Sequence, residues 1–90
     1  MISWHETKRR RNLKKHHLDF VGCEVIFDEF MLTREDAREA YGEPRFKSLG
    51  IWNGVVVALI YAERGEDIDV ISIRKATKYE TKAYFKARGY

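Results

Sequence analysis

The chain is 90 residues long, 44% apolar and 13% aromatic, with one cysteine and a formal net charge of +3. That suits one domain, taken as residues 1–90, with apolar surface enough for a core, which excludes disorder; the lone Cys23 excludes an internal disulfide. No apolar run approaches the roughly 18 residues that span a bilayer, and the basic N-terminus lacks the apolar stretch of a secretory signal, so a cytoplasmic location is expected.

In chain order, Ser3 and Glu6 have the spacing of a capping box, and residues 5–17 follow as a helix whose polar surface is Lys8, Arg9, Arg10, Arg11, Lys14 and Lys15. So little of this helix is apolar that packing of Trp4 and Leu13 must hold it. Asp19 is placed to cap a second short helix in which Phe20, Cys23, Ile26 and Phe27 recur at helical spacing. The polar stretch from Thr33 to Glu43, punctuated by Gly42 and Pro44, reads as a loop rather than a short helix. Asn53-Gly54 lies between Leu49–Trp52 and the unbroken apolar run Val55–Tyr61, the signature of a type I′ hairpin with Val55–Tyr61 as the central strand. A second turn at Arg64–Asp67 leads to a strand from Ile68 to Arg74. Simple alternation there puts Val70, Ser72 and Arg74 on one face and Asp69, Ile71 and Ile73 on the other. Thr77 and Glu80 form another capping box, and Ala76, Ala83, Tyr84 and Ala87 line the inner stripe of a closing helix. The expected fold class is α+β: a small antiparallel sheet, a meander of three to four strands, with two N-terminal helices and one C-terminal helix.

The modest net charge hides a segregation. Residues 1–18 carry six Lys/Arg against one acid, residues 74–90 six against one, and the middle five against twelve, so the chain reads +5, −7, +5. Two basic ends can merge into one face that focuses anions such as RNA phosphates, although charge runs are also ordinary solvated helix faces. The last strand empties into Arg74-Lys75 beside a helix start, which sets convergent positive charge on a rigid frame. Zinc has no support, because His5 and His16 stand roughly 16 Å apart along a helix and His16 and His17 diverge around its axis. Cys23 falls on an apolar stripe and reads as packing. No glycine-rich phosphate loop follows a strand.

Trp4, Asn12-Leu13, Lys15-His16, Phe20 and Phe27-Asp28 come first in an ordered series. Asp36, Arg38, Tyr41-Gly42-Glu43, Arg45 and Leu49-Gly50 continue it, followed by Glu63-Arg64-Gly65, Ile71-Ser72, Arg74-Lys75-Ala76-Thr77, Glu80 and Tyr84. This series, covering nearly the whole chain, resembles the BrnT family of ribonuclease toxins. The resemblance implies a RelE-like fold, metal-independent RNA cleavage without a cofactor, and inhibition of translation. It also implies a BrnA-like antitoxin partner with a ribbon-helix-helix DNA-binding segment, the pair forming a hetero-oligomer on operator DNA. Two positions depart from the pattern: His17 stands where the family usually has glycine, and Asp69 where a basic residue is common.

Metal-free RNA cleavage needs a base for the 2′-hydroxyl proton, a cation for the charge developing on phosphorus, and an acid for the leaving 5′-oxygen. Arginine suits the cation role through its planar fork, which points to Arg64 and Arg74 with Arg45 behind them. The alternatives are a solvated turn residue for Arg64 and a salt bridge with Glu80 or Glu63 for Arg74. His16 is a proton-transfer candidate by its intrinsic pKa, but a histidine at a helix C-terminus also satisfies the last carbonyls and the dipole. Glu63 is the other candidate base. Lys15, Arg38, Tyr41, Arg45 and Lys75 are the expected RNA contacts, with Tyr41 and Trp52 able to stack an unpaired base or to serve as core. A catalytically silent nucleic-acid-binding domain and a pure protein-interaction module are the competing readings.

Overall fold

The computed structural model describes residues 1–36 and 42–90; Arg38 and Tyr41 lie outside the described residues. In chain order the elements are β1 (Ile2–Trp4), α1 (Glu6–His16), a short 3-10 helix (Cys23–Asp28), β2 (Leu32–Glu35), β3 (Arg45–Trp52), β4 (Val55–Arg64), β5 (Asp67–Lys75) and α2 (Lys78–Arg88). The strands form one sheet in the order β1-β5-β4-β3-β2. The expected meander is β3-β4-β5, and its first turn has the anticipated form, with Asn53 at φ 52° and Gly54 at φ 77°. The sheet is nevertheless larger than three to four strands and is mixed rather than antiparallel, because β1 runs parallel to β5, pairing Ile2–Trp4 with Ile68–Val70.

Both additional strands are short edges. Ser3 belongs to β1, so the Ser3–Glu6 capping box does not form: α1 starts after His5, whose side chain makes no cap, and Glu6 instead meets Arg9 at 2.6 Å and Arg10 at 3.4 Å. The first part of the stretch read as a loop is β2, antiparallel to β3 from Leu32↔Leu49 to Glu35↔Phe46. Thr33, Arg34 and Glu35 are exposed, as suits an edge strand that must not recruit another chain.

Strand β4 is apolar from Val55 to Ala62, and from Val56 on both of its faces are covered. Val57, Leu59 and Tyr61 pack with Phe20, Cys23 and Ile26 beneath the 3-10 helix, while Val56 and Ala58 pack with Leu49 and Tyr84 of α2 on the opposite face. The 3-10 helix lies so close to β3 that a Cβ on Gly50 would come within 2.6 Å of Ile26 Cγ2. Thr77 and Glu80 do form the capping box of α2, whose Tyr84 is fully buried and donates to the Phe30 carbonyl at 2.9 Å; Ala87 is exposed rather than inward.

Simple alternation along β5 does not hold. Ser72 pairs with Ile60 and Val70 with Tyr61, adjacent residues of β4, so Ile71 is an extra residue in β5. Beyond it the side-chain phase reverses. Val70 and Ile73 both enter the first core, and Asp69, Ser72 and Arg74 share the face that carries α2.

Leu13 does not hold α1 in place, since it is 39% exposed. Asn12 does, by replacing the strand that β5 lacks. Its amide donates to the carbonyls of Ile73 (2.8 Å) and Leu18 (2.9 Å), and its oxygen accepts from the Ile73 N–H at 3.0 Å. Asn12→Ala would leave both polar groups of a buried backbone unit unpaired, and is expected to cost about 2–4 kcal/mol in urea unfolding. Leu13→Ala is expected to cost less than about 1 kcal/mol.

Candidate nucleic-acid interface

Lys8, Arg11 and Lys15 follow the i, i+3, i+7 spacing of one helical face. With Asn12 fixed to Ile73, that face lies along the edge of β5 just past the residues paired to β1. There Lys8, Arg11, Lys15 and His16 line a cleft of about 190 Å³ against Ile71 and Ser72. Arg9 points elsewhere, gripping Asp19 through two hydrogen bonds of 2.9 and 3.1 Å. Among the described residues none of Lys8, Arg11 and Lys15 has an ion-pair partner. Three uncompensated cations along one groove form a track for a polyanion.

His16 is the last residue of α1, and His17 closes the helix in the left-handed region at φ 61°, its N–H donating to the Leu13 carbonyl at 2.9 Å. The histidine thus makes the turn that a glycine would make freely, at a cost of about 1 kcal/mol. Burial first, then the charges of Lys15, Arg74 and His17, push the His16 imidazole below its ordinary pKa of 6.5. It is therefore held neutral, the form that accepts a proton. His16 also borders a second, larger cavity of about 500 Å³, reaching between Lys75 and the β3–β4 turn.

On the α2 face, Arg74 grips Glu80 with both terminal nitrogens, at 2.8 and 2.9 Å. Glu80 also receives Lys47 Nζ at 2.7 Å and the Thr77 N–H at 2.9 Å. Hydrogen bonding from Arg74 first, aided by Lys47 and the Thr77 N–H and opposed by burial, holds the Glu80 carboxyl far below the usual carboxylate range. The salt-bridge alternative for Arg74 is therefore what its guanidinium does here.

The predicted residues divide into groups. His16, Lys15, Arg74 and Lys75 gather where the end of α1 meets the end of β5, with Lys75 on the opposite face of the strand from Arg74. Arg64 shares Arg74's face without sharing its place: Arg74 stands opposite Ala58, and Arg64 lies six residues further along β4, about 20 Å at roughly 3.3 Å per residue. The two guanidinium groups are not side by side. Arg64 sits near Glu43 (3.5 Å) and buried Asp69 (3.6 Å), and Arg45 lies 3.8 Å from the same Glu43. Asp69, one of the two departures from the family pattern, thus offsets Arg64 directly. Glu63, opposite Ile68, points to the other face of the sheet. The two basic ends do not merge through their helices either, since α1 lies along β5 and α2 packs on the second core; α1 is joined by Arg74 and Lys75 alone. Trp52 is partly buried against the first core, with its edge on the larger cavity.

The family model for the ribonuclease toxin BrnT of type II toxin-antitoxin systems matches residues 4–80. The chain belongs to the BrnT family. No curated protein sequence matches it. The matched span runs from Trp4, the last residue of β1, through β2 to β5 and on to Glu80, so it contains α1, the cleft and the carboxylate that holds Arg74. BrnT membership makes the chain a ribonuclease toxin with an antitoxin partner. Lys8 and Arg11, read from the sequence as polar surface of the helix, share one face with Lys15, and their three- and four-residue spacing is the signal that places them together. Among the described residues no three His, Cys, Asp or Glu side chains cluster as metal ligands, and no helix is long and apolar enough to cross a membrane.

Glu80 also links the site to stability. Its carboxyl titrates near 4.5 when unfolded and well below that in the fold, so its contribution is complete above pH 4.5 and lost as the pH falls further toward the folded value. Glu80→Gln is expected to cost about 1.5–3 kcal/mol at neutral pH and to flatten the fall in stability below pH 4.5, read by denaturant titrations across that range.

Proposed function

We propose that this BrnT-family chain is a metal-independent endoribonuclease of RelE-like architecture that cleaves RNA and thereby inhibits translation in the cytoplasm. The observation that carries this reading is His16, an imidazole whose pKa burial and neighbouring cations lower, lining one cleft with Lys8, Arg11 and Lys15, none of which has an ion-pair partner among the described residues. In the proposed reaction His16 takes the 2′-hydroxyl proton and the 2′-oxygen attacks the adjacent phosphorus. The P–O5′ bond then breaks, leaving a 2′,3′-cyclic phosphate, and the departing 5′-oxygen takes a proton from a cleft ammonium or from water. Arg74 keeps N–H groups beyond its two bonds to Glu80 and its 3.3 Å contact with the Lys75 carbonyl, and in this reading they stabilise the developing negative charge. Lys8, Arg11 and Lys15 hold phosphates, with Lys75 at the far rim. Arg45 and Arg64 serve as outer contacts further along the sheet, about 13 Å and about 20 Å from the level of Arg74, and Arg38 and Tyr41 remain proposed contacts outside the described residues.

The partner in this reading is a BrnA-like ribbon-helix-helix antitoxin that covers α1 with acidic side chains and holds the pair on operator DNA. Undiminished RNA binding by the purified complex would rule the covering out. The filled fork of Arg74 favours a second reading, in which the cleft binds RNA and cuts nothing.

Purified chain in EDTA separates the two by mapping RNA ends: the nuclease reading expects cleavage to continue. His16→Asn, at a half-exposed position, is expected to lower cleavage at least about 100-fold with binding kept. An equal loss in Glu63→Gln would move the base to that residue. Cleavage by the unaltered chain is expected to fall on the acid side with a midpoint below 6.5, because the base must be neutral and its pKa is lowered. Alanine at Lys8 or Arg11 is expected to reduce the slope of log affinity against log salt by about 0.7 each.

A further inference from the structure

The cavity of about 500 Å³ beyond His16 is the larger of the two that this histidine borders, and the cleft chemistry makes no use of it. Its volume lies within the roughly 300–1,000 Å³ of small-molecule sites. Val21 and Val55 line it while 58% and 41% exposed, so the fold leaves apolar walls uncovered here, and the edge of Trp52 forms a third. The polar lining is His16, His17, Asp19, Asn53 on the hairpin turn and Lys75; the Asp19 carboxylate is already taken by Arg9 and the Val21 N–H, which leaves the Asn53 amide and the Lys75 ammonium, beside the two imidazoles, to meet a ligand's polar edge. Apolar walls, an aromatic side chain and a donor–acceptor amide, reached directly from a cationic groove, match a polynucleotide that threads its phosphates past Lys8, Arg11 and Lys15 and tucks one base inward.

We propose that this cavity is a nucleobase subsite in which Trp52 and Val55 contact an unpaired base of the bound RNA and Asn53 and Lys75 read its edge. The inference rests on RNA being the ligand of the adjacent cleft. It assigns choice of sequence to the hairpin end of β3 and β4, and leaves phosphate binding to α1.

The test compares the full chain's affinity for a short 2′-O-methyl RNA, which cannot be cleaved, with that for a ribose-phosphate oligomer of the same length lacking bases, followed by tryptophan emission and by anisotropy. The base-bearing oligomer is expected to bind roughly 5- to 150-fold more tightly. Trp52→Ala is expected to abolish that preference while leaving affinity for the base-free oligomer unchanged. Val55→Ser, a charge-neutral change at an exposed position, is expected to lower the preference in the same way without risk to the core, and neither variant should alter the salt slope set by Lys8 and Arg11. Equal binding of the two oligomers by the unaltered chain overturns the subsite, as does a preference that survives both substitutions. Emission that shifts only when antitoxin is added also overturns it and gives the cavity to that partner. Base preference together with intact ends in unmodified RNA given to the same chain would keep the subsite and sink the nuclease reading instead, so the two fail separately.

Discussion

The side chain of Asn12 holds this structure in its working shape. β1 supplies a neighbour for only three residues of β5, and past Val70 the strand would present an open edge, a place where another chain can add itself. A side-chain amide has one acceptor and two donors in nearly the geometry of a peptide group, so one asparagine satisfies both the N–H and the carbonyl of Ile73 and reaches Leu18 as well. A helix with almost no apolar face is thereby fixed to the sheet by hydrogen bonds rather than by burial. Its polar residues stay available for something other than packing, and the position of every cation on α1 is set by this one attachment.

The cations of the chain fall into two electrostatic classes. Arg9, Arg64 and Arg74 have carboxylate neighbours: Asp19 and Glu6 for the first, Glu43 and Asp69 for the second, Glu80 for the third. Such pairs contribute to architecture, and an anion arriving at them must compete with a carboxylate already in place. The competition is hardest at Arg74, where the acid is bidentate, mostly buried and doubles as the cap of α2. Lys8, Arg11 and Lys15 face no such competitor among the described residues. An RNA phosphate reaching them gains their attraction without first displacing a carboxylate.

Much of the fold was legible because the signals were local. Asn53-Gly54 needs two positive φ angles and has them, Thr77 and Glu80 cap each other across one helical turn, and Phe20, Cys23 and Ile26 bury at the spacing that marked them. What was not legible is set by distant parts of the chain. Ile2–Trp4 is too short to show alternation and is a strand only because β5 runs alongside; β2 carries a single inward residue, Leu32, and exists because β3 templates it. The extra residue at Ile71 reverses the phase of β5, so alternation grouped Val70 with Arg74 when they belong to opposite faces. For the site, the residue types at the end of α1 were readable, and His16, Lys15, Arg74 and Lys75 do gather. The separation of Arg64 from Arg74 depends on strand register, and their carboxylate neighbours lie up to twenty-one residues away, from Glu43 to Arg64.

The segregation of charge along the sequence explains why the cleft stays cationic. Acids are plentiful in the middle of the chain, and where that middle forms the sheet they meet the arginines of the same face, Glu43 and Asp69 at Arg64. The first eighteen residues contain one acid, Glu6, and it is spent on Arg9 and Arg10 at the first turn of the helix. Nothing negative is left in α1 for Lys8, Arg11 and Lys15, and the two acids of β5 are engaged elsewhere, Asp67 with the N-terminal ammonium and Asp69 with Arg64. A helix of alternating sign would have saturated itself through i, i+4 pairs and presented a neutral surface. Placing the charges in blocks prevents that, and, after burial, which acts first, the same block adds through Lys15 to the lowering of the His16 pKa, so the charges that keep the cleft cationic also favour the unprotonated imidazole beside them.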